Sequence, residues 1–496
     1  MKIKFLKVNY ILLAILVIAA FFRFFNYSAR VGFGQDSARD AIIGLFSIRN
    51  HKLPLMGPPS SAWGFNFGPL YYYFIVLFTL IIPSVLSPWI GFTLLSLLTV
   101  FLVYKTGERT FDKTFGYIAT FLCAVSFAEV GNAQNLLNTV LVSFATTLAF
   151  FFLERTLNGK LKIFPMLLGL SVALAINSHL QALSLLLLLP LAIVFSPGKL
   201  KEKTINFIFI ALGFLLGFVP LIIFEFQHNL AWTKSIIDYS LHGQQKFYTP
   251  VRWLTEFTKF WPSIFGQILS GIPLVGYLYS GLFVISLVFS YLKKIHLPKI
   301  FYIILSTFIL EIITVRFYKG PRSPEYFIIA HQFVIFFVAF SLWVSLKVNR
   351  RLGIVILLSI ATMSVKSDLT LISSKSNAPD VLNLFSQQKK YLGNNKTTLY
   401  GTANSFGASI AIYYLSYKEN LIGDGDSLIV CDNLEGSTKG KPDYCPGNGR
   451  LFTSGRLVIF PFDKLSPSQR TDYQTEELKA EIYYYRTYNN YELIKY

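Results

Sequence analysis

The chain has 496 residues, 53% of them hydrophobic and 17% aromatic, with only 14% charged and a mean hydropathy of +0.51. A soluble chain carries about a quarter charged residues, so composition excludes a water-soluble globule and points to a polytopic membrane protein. The net charge of +19 sits at the edges of hydrophobic runs and not in a polar groove, which excludes nucleic acid as the partner.

The first apolar run, 8–25, is preceded by Lys2, Lys4 and Lys7. It has no small-x-small cleavage site and is followed by Arg30, so it reads as an anchor. Five more basic clusters recur between apolar runs: Lys105/Arg109/Lys113, Arg155/Lys160/Lys162, Lys199/Lys201/Lys203, Lys293/Lys294/Lys299 and Lys347/Arg350/Arg351. The alternating turns 83–88, 129–138 and 177–181 hold no Lys or Arg. By the positive-inside rule all six clusters face the cytoplasm. Eleven crossings follow, at about 8–25, 88–104, 115–129, 138–153, 162–177, 180–195, 204–225, 264–291, 299–316, 325–346 and 351–372. The expectation is a multi-pass protein of the cytoplasmic membrane, with the N-terminus inside and everything after 372 outside.

The loop after the first crossing carries the densest chemistry. Residues 34–40 read Gly-Gln-Asp-Ser-Ala-Arg-Asp. As a helix over 36–50, with Asp36 as N-cap, this segment puts Ala38, Ala41, Ile42, Leu45 and Phe46 on one stripe. It therefore lies flat on the membrane, and Asp36, Arg39 and Asp40 crowd its start. Under a protein roof Asp36 is partly desolvated, which raises its pKa and its value as a base, while Arg39 opposes that shift. The alternative is a capping Asp beside a surface ion pair.

Next come Leu55-Met56-Gly57-Pro58-Pro59 and Gly68-Pro69-Leu70-Tyr71-Tyr72-Tyr73. The run 69–82 is too short to span, and a crossing there would invert every later loop. With Trp63, Phe65, Phe67 and three tyrosines, it is expected in the outer interface.

Three later segments hold candidate groups. His179 lies in a tight turn, where it is either hydrogen-bonded structurally or part of a site. Glu225 ends a span and opens the mixed loop 226–263, with His228, Lys234, His242 and Arg252. Loop 316–326 gathers Arg316, Lys319 and Arg322 before Pro324-Glu325-Tyr326, a positive loop on the outer side. An anionic phosphate explains it, and so do anionic lipid headgroups. Glu225 and His331, at membrane depth, are site candidates by position, and Glu311 serves either a site or helix packing.

After about 373 the chain turns polar, and 373–496 read as a small external α/β domain. Strands are expected at 397–403, 427–433, 456–462 and around 480–486, with a helix at 405–418. Cys123 is a small apolar residue within a span. Cys431 and Cys445 are close enough to bridge, or remain two free thiols.

These residues, in this order, resemble the polyprenyl-phosphate-dependent membrane glycosyltransferases of the GT-C fold. The protein O-mannosyltransferases and aminoarabinose transferases are the most similar groups. The resemblance covers 1–372 and extends weakly beyond. It implies that Asp36 is the catalytic carboxylate and that the Pro-Leu-Tyr-Tyr run is an interfacial helix. Asn135, His179 and Pro324-Glu325-Tyr326 look like family positions. Ser37 stands where many members carry a second acid, a part left to Asp40.

The implied function is sugar transfer from a polyprenyl-phosphate donor to a hydroxyl acceptor of unknown identity, among membrane lipids. Asp36 is the base; Arg39, or Lys319 and Arg322 with Tyr326, stabilises the leaving phosphate; a single base suggests inversion. No cofactor is required by these residues, although a divalent cation sharing Asp36 is compatible with the resemblance. The rival reading is a transporter or flippase of lipid-linked sugars, which needs ionisable groups nearer the bilayer midplane.

Overall fold

A computed structural model describes residues 9–60, 65–159, 161–242, 252–317, 324–402, 406–432, 449–472 and 474–485. The first apolar run is α1 (Tyr10–Phe24), started by Asn9, whose side chain accepts from the Leu12 amide. The short α2 (Tyr27–Arg30) turns the chain into α3 (Gln35–Arg49), and α4 (Leu70–Ile81) closes the first loop. With 12 residues, α4 is about 18 Å long, well short of a hydrocarbon core of about 30 Å.

Then come α5 (Ser87–Thr110), α6 (Lys113–Ala124), the short α7 (Phe127–Asn132), α8 (Val140–Asn158) and α9 (Ile163–Ser178). The run expected over 115–129 is broken because Ser126 leaves helical geometry to cap α7 and donates to the Ile268 carbonyl at 2.7 Å. The run at 180–195 has two halves, a 3₁₀ stretch over Leu180–Leu187 and α10 (Leu188–Phe195).

Beyond α11 (Leu200–Gln227), α12 (Ala231–His242) and α13 (Arg252–Thr255), the single crossing expected at 264–291 is split. It becomes α14 (Trp261–Ser270) and α15 (Gly276–Leu292). Gly271, at φ +69°, ends α14, and a 3₁₀ turn at Pro273–Val275 redirects the chain. The two helices cross at glycine: a Cβ on Gly276 would lie 1.9 Å from the Pro262 carbonyl oxygen. The bundle closes with α16 (Lys299–Phe317), α17 (Ile329–Val348) and α18 (Arg350–Ser373).

Among the described residues, six helices are long and apolar enough to cross a membrane, while α1, α4, α9 and the 180–195 run are apolar but shorter. α17 is apolar all round, and 89% of its spanning window is buried, so it forms the centre of the bundle. Phe333, Phe336, Phe337 and Phe340 pack there against Phe301 and Phe308.

After Ser373 the chain forms α19 (Ala378–Leu392), β1 (Thr397–Gly401), α20 (Phe406–Lys418), β2 (Asp426–Asp432), β3 (Phe452–Ser454), β4 (Leu457–Pro461), α21 (Pro467–Asp472) and β5 (Glu476–Glu477). The sheet runs β3-β4-β2-β1-β5; β1 and β2 are parallel, Leu399 facing Leu428, with α20 as their crossover. The strand expected around 480–486 is helical over 480–485, where Tyr483 and Tyr484 are buried against the core. Cys431 is disulfide-bonded and Cys123 is free; Cys445 lies outside the described residues.

The sheet region packs on the first loop, with α20 alongside α3. Arg49 donates to the Tyr417 carbonyl at 2.6 Å and to Asn420 Oδ1 at 2.7 Å, with its guanidinium 4.0 Å above the Tyr417 ring. At the other end of the pair, a Cβ on Gly407 would sit 3.5 Å from the Gln35 amide nitrogen. The two helices therefore run parallel. Tyr414 donates to the Val85 carbonyl and Lys418 to Ser87 Oγ, extending the joint to α5. Ser376 and Asn377 bond the carbonyls of Ala29, Val31 and Phe33.

Candidate active site

The site begins at the start of α3. Gly34, not Asp36, is the N-cap, and the helix starts one residue earlier than the stripe suggests. Ser37 Oγ accepts from the Gly34 amide at 2.9 Å and donates to the Gly32 carbonyl at 3.0 Å, closing the first turn. Asp36 is thereby released from capping. Its carboxylate is 61% exposed, so the desolvation expected for it does not occur.

Burial falls instead on Asp40, whose side chain is 1% exposed. Arg39 bridges the two acids. Its Nη1 donates to Asp36 Oδ1 at 2.7 Å, its Nε to Asp40 Oδ1 at 2.9 Å, and its Nη2 lies 2.8 Å from the same Asp40 oxygen. Tyr72, from α4, donates its hydroxyl to Asp40 Oδ1 at 3.1 Å. Burial pushes the Asp40 carboxyl up to about 6, against the opposing pull of Arg39 and with some help from the charge on Asp36. The result is one exposed carboxylate and one buried one, sharing a fixed cation.

α4 is held against α3 by a close crossing at Gly44, where a Cβ would sit 2.4 Å from Ile75 Cγ2. That approach brings Tyr72 within reach of Asp40. The alternating glycine and tyrosine of the two segments are thus one feature: small on one helix, hydrogen-bonding on the other.

A second cluster lies where the first loop meets the turn after α9. The Gly68 amide donates to the Asn177 carbonyl at 2.9 Å. The Phe67 ring stacks on His179 at 4.7 Å, and His179 stacks on Tyr326 at 5.7 Å. His179 Nδ1 accepts from the Gln181 amide at 3.2 Å, and burial pushes its pKa down to about 4, so the ring is neutral at ordinary pH. His179 and Tyr326 are therefore brought together. Glu325 falls in a 3₁₀ turn, Pro324–Phe327, while Lys319 and Arg322 lie outside the described residues. Arg316 is 1% exposed, its guanidinium 4.9 Å from the Trp253 ring centre.

Glu225 is engaged in capping. It accepts from the amides of Trp232 (2.8 Å) and Thr233 (3.1 Å) and from the Thr233 hydroxyl, so it serves the start of α12. Trp232 Nε1 in turn donates to the Asn66 carbonyl at 2.7 Å, tying α12 to the first loop. His228 Nδ1 lies 2.9 Å from the Phe224 carbonyl, and His242 pairs with Asp238 on the surface. Glu311 is buried on α16.

The sequence marks Tyr72 only as an interfacial aromatic and Glu129 only as the end of a span, although an acid at the end of an apolar run is itself a signal. As for a metal, among the described residues no three His, Cys, Asp or Glu side chains come together to hold one. Between Asp36 and Asp40 stands a guanidinium, so this donor set does not fit a divalent ion.

Residues 66–224 match the family described as dolichyl-phosphate-mannose-protein mannosyltransferase. No curated protein matches the sequence. Among solved structures, ArnT from Cupriavidus metallidurans in the apo state superposes with a TM-score of 0.58 at 10% identity, over 90% of this chain and 97% of that one. The same protein bound to undecaprenyl phosphate gives 0.57 at 11% identity, with the same coverage. The Archaeoglobus fulgidus oligosaccharyltransferase, in complex with Zn and sulfate, gives 0.51 at 13% identity over 85% of this chain and 68% of that one. At such identities the likeness is one of fold, and in fold the chain is similar to the GT-C membrane glycosyltransferases.

Proposed function

We propose that the chain is a glycosyltransferase that moves a sugar from a polyprenyl-phosphate donor to a hydroxyl acceptor. The reaction takes place at the outer face of the cytoplasmic membrane, with the N-terminus inside and the sheet domain, 373–496, outside. The observation that carries this reading is the Asp36–Arg39–Asp40 array, set at the first turn of a non-spanning helix in a bundle of this fold. A lipid-linked donor keeps its tail in the bilayer and its sugar above it, so the chemistry belongs at such a boundary. The rival transporter reading has no counterpart among these matches, which include a mannosyltransferase family and an oligosaccharyltransferase.

In this mechanism Asp36, the exposed acid, takes the proton of the acceptor hydroxyl. The hydroxyl oxygen bonds to the anomeric carbon as the bond from that carbon to the phosphate oxygen breaks, and the electron pair leaves on the polyprenyl phosphate. Direct displacement inverts the anomeric centre. Asp40, itself held by Tyr72, fixes Arg39, whose positive charge stabilises the departing phosphate. Lys319, Arg322 and Tyr326 are the proposed further phosphate contacts, with His179 stacked on the last of these. No step passes through a metal.

The test is incubation of membranes carrying the protein with a panel of polyprenyl-phosphate sugars, comparing the wild-type chain with Asp36→Asn. Transfer should vanish in the variant while expression and membrane insertion stay normal. Transfer within a few-fold of wild type would remove the catalytic assignment.

A further inference from the structure

Beneath both clusters lies a group of buried ionisable side chains that the mechanism above does not use. His331 Nδ1, on α17, is 2.7 Å from Glu129 Oε1, on α7, with both side chains 5% exposed or less. Ser143, on α8, donates to the same carboxylate oxygen at 2.7 Å, and Gln332 donates to Ser143 at 2.8 Å. Arg23, fully buried on α1, faces the group and donates to Ser96 Oγ at 2.8 Å and to the carbonyls of Ala124 and Cys123. Asp368, on α18, is a further buried acid near Arg23, with Arg30 also near it. Glu129, Asn132, Ser96 and Ser143 line a small cavity of about 20 Å³, room for one water molecule, together with Phe92 and Ile328.

Burying a hydrogen-bonded acid and imidazole is costly, and two well-packed apolar side chains usually stabilise a bundle as well or better. What the hydrogen bond adds is a fixed register between the elements that carry it. The elements joined here lead to opposite sides of the candidate site. On one side, His331 lies five residues beyond Tyr326, and the amide of Ile329 is held by Gln181, next to the His179 stack. On the other, α7 runs into Ala133, whose carbonyl accepts from Thr93 at 2.6 Å; one turn away on α5, Trp89 donates to the Gly32 carbonyl, just before α3.

We infer that Glu129 and His331 are positioning residues: their buried pair sets the Tyr326 side of the site against the Asp36 side, and so sets affinity for the polyprenyl-phosphate donor. This rests on the function proposed above.

The experiment uses the full chain in nanodiscs, with undecaprenyl phosphate as the probe. Glu129→Gln, His331→Gln and the apolar double variant Glu129→Leu/His331→Leu are compared by hydrogen exchange over 326–331, by probe titration and by thermal unfolding. The single variants should exchange faster over 326–331 and bind the probe at least ten-fold more weakly. The double variant should regain the wild-type melting temperature without regaining probe affinity. Unchanged exchange over 326–331, or probe affinity restored by the apolar pair, would overturn the inference by reducing the pair to packing. Faster exchange in a protein whose wild type ignores the probe would leave the joint standing and count against the proposed donor instead.

Discussion

At the scale of single residues, the division of labour between two acids of one turn is the central feature. Asp36 and Asp40 share one guanidinium, yet one faces solvent and the other is buried against Tyr72. Replacing Asp36 by Asn should lower transfer by about 10²–10⁴-fold, the span typical of losing a general base, read as initial rates in membranes. Asp40 predicts a pH effect of definite sign. Burial raises its pKa from 3.8 to about 6, so it is ionised at neutral pH and gains a proton as pH falls through about 6. Protonation removes half of the cage around Arg39, and transfer should fall on that acid limb. In Asp40→Asn the rate should be low throughout and the limb near pH 6 absent; a limb that persists would assign it to another group. Because the folded pKa lies above the unfolded one, ionised Asp40 also costs stability, so the Asn variant should lose less stability than wild type as pH rises from about 4 to 7. The array was legible in the sequence because Asp36, Arg39 and Asp40 sit one helical turn apart. Which acid is buried was not legible, since that depends on Tyr71 and Tyr72 of α4, thirty and more residues away.

At the scale of elements, the sequence located apolar runs well and their interruptions poorly. The short helix at 69–82 was readable from the length of its apolar run, and α4 has 12 residues. The breaks at Ser126 and at Gly271–Pro273 were not, because a serine or glycine inside an apolar run becomes a break only when a neighbour accepts its bond or fills its space. The same reasoning gives a prediction for the α3–α4 crossing. A Cβ at Gly44 meets Ile75 at 2.4 Å, so Gly44→Val should force the helices apart. It should cost about 1–3 kcal/mol, seen as a lower unfolding temperature in detergent. It should also reduce transfer, because Tyr72 would move away from Asp40. Full activity in Gly44→Val would show that the Tyr72 bond is dispensable.

At the scale of the whole molecule, the sheet region and the first loop form one body through α3 and α20. Arg49 makes two hydrogen bonds and a ring contact with the end of α20. Arg49→Glu should loosen this joint and expose the 373–378 connection to limited proteolysis, with transfer reduced although Asp36 is untouched. Equal proteolysis of the two proteins would place the docking energy elsewhere, in Tyr414, Lys418 or Ser376. The mean composition of the region after 373 announced a separate α/β unit, but its docking on the loop was not readable, since the contacts join residues more than 300 apart in the chain.

The 180–195 run carries one more consequence. Sixteen residues of regular α-helix measure about 24 Å, but winding the first eight as 3₁₀ lengthens the rod to about 28 Å. On the topology proposed above, the tighter coil is a ruler for the thickness of the surrounding lipid, with the His179 stack at its tip. Vesicles of short-chain lipids should let it slacken and draw that stack inward, so turnover should respond to acyl length even where every charged residue is intact.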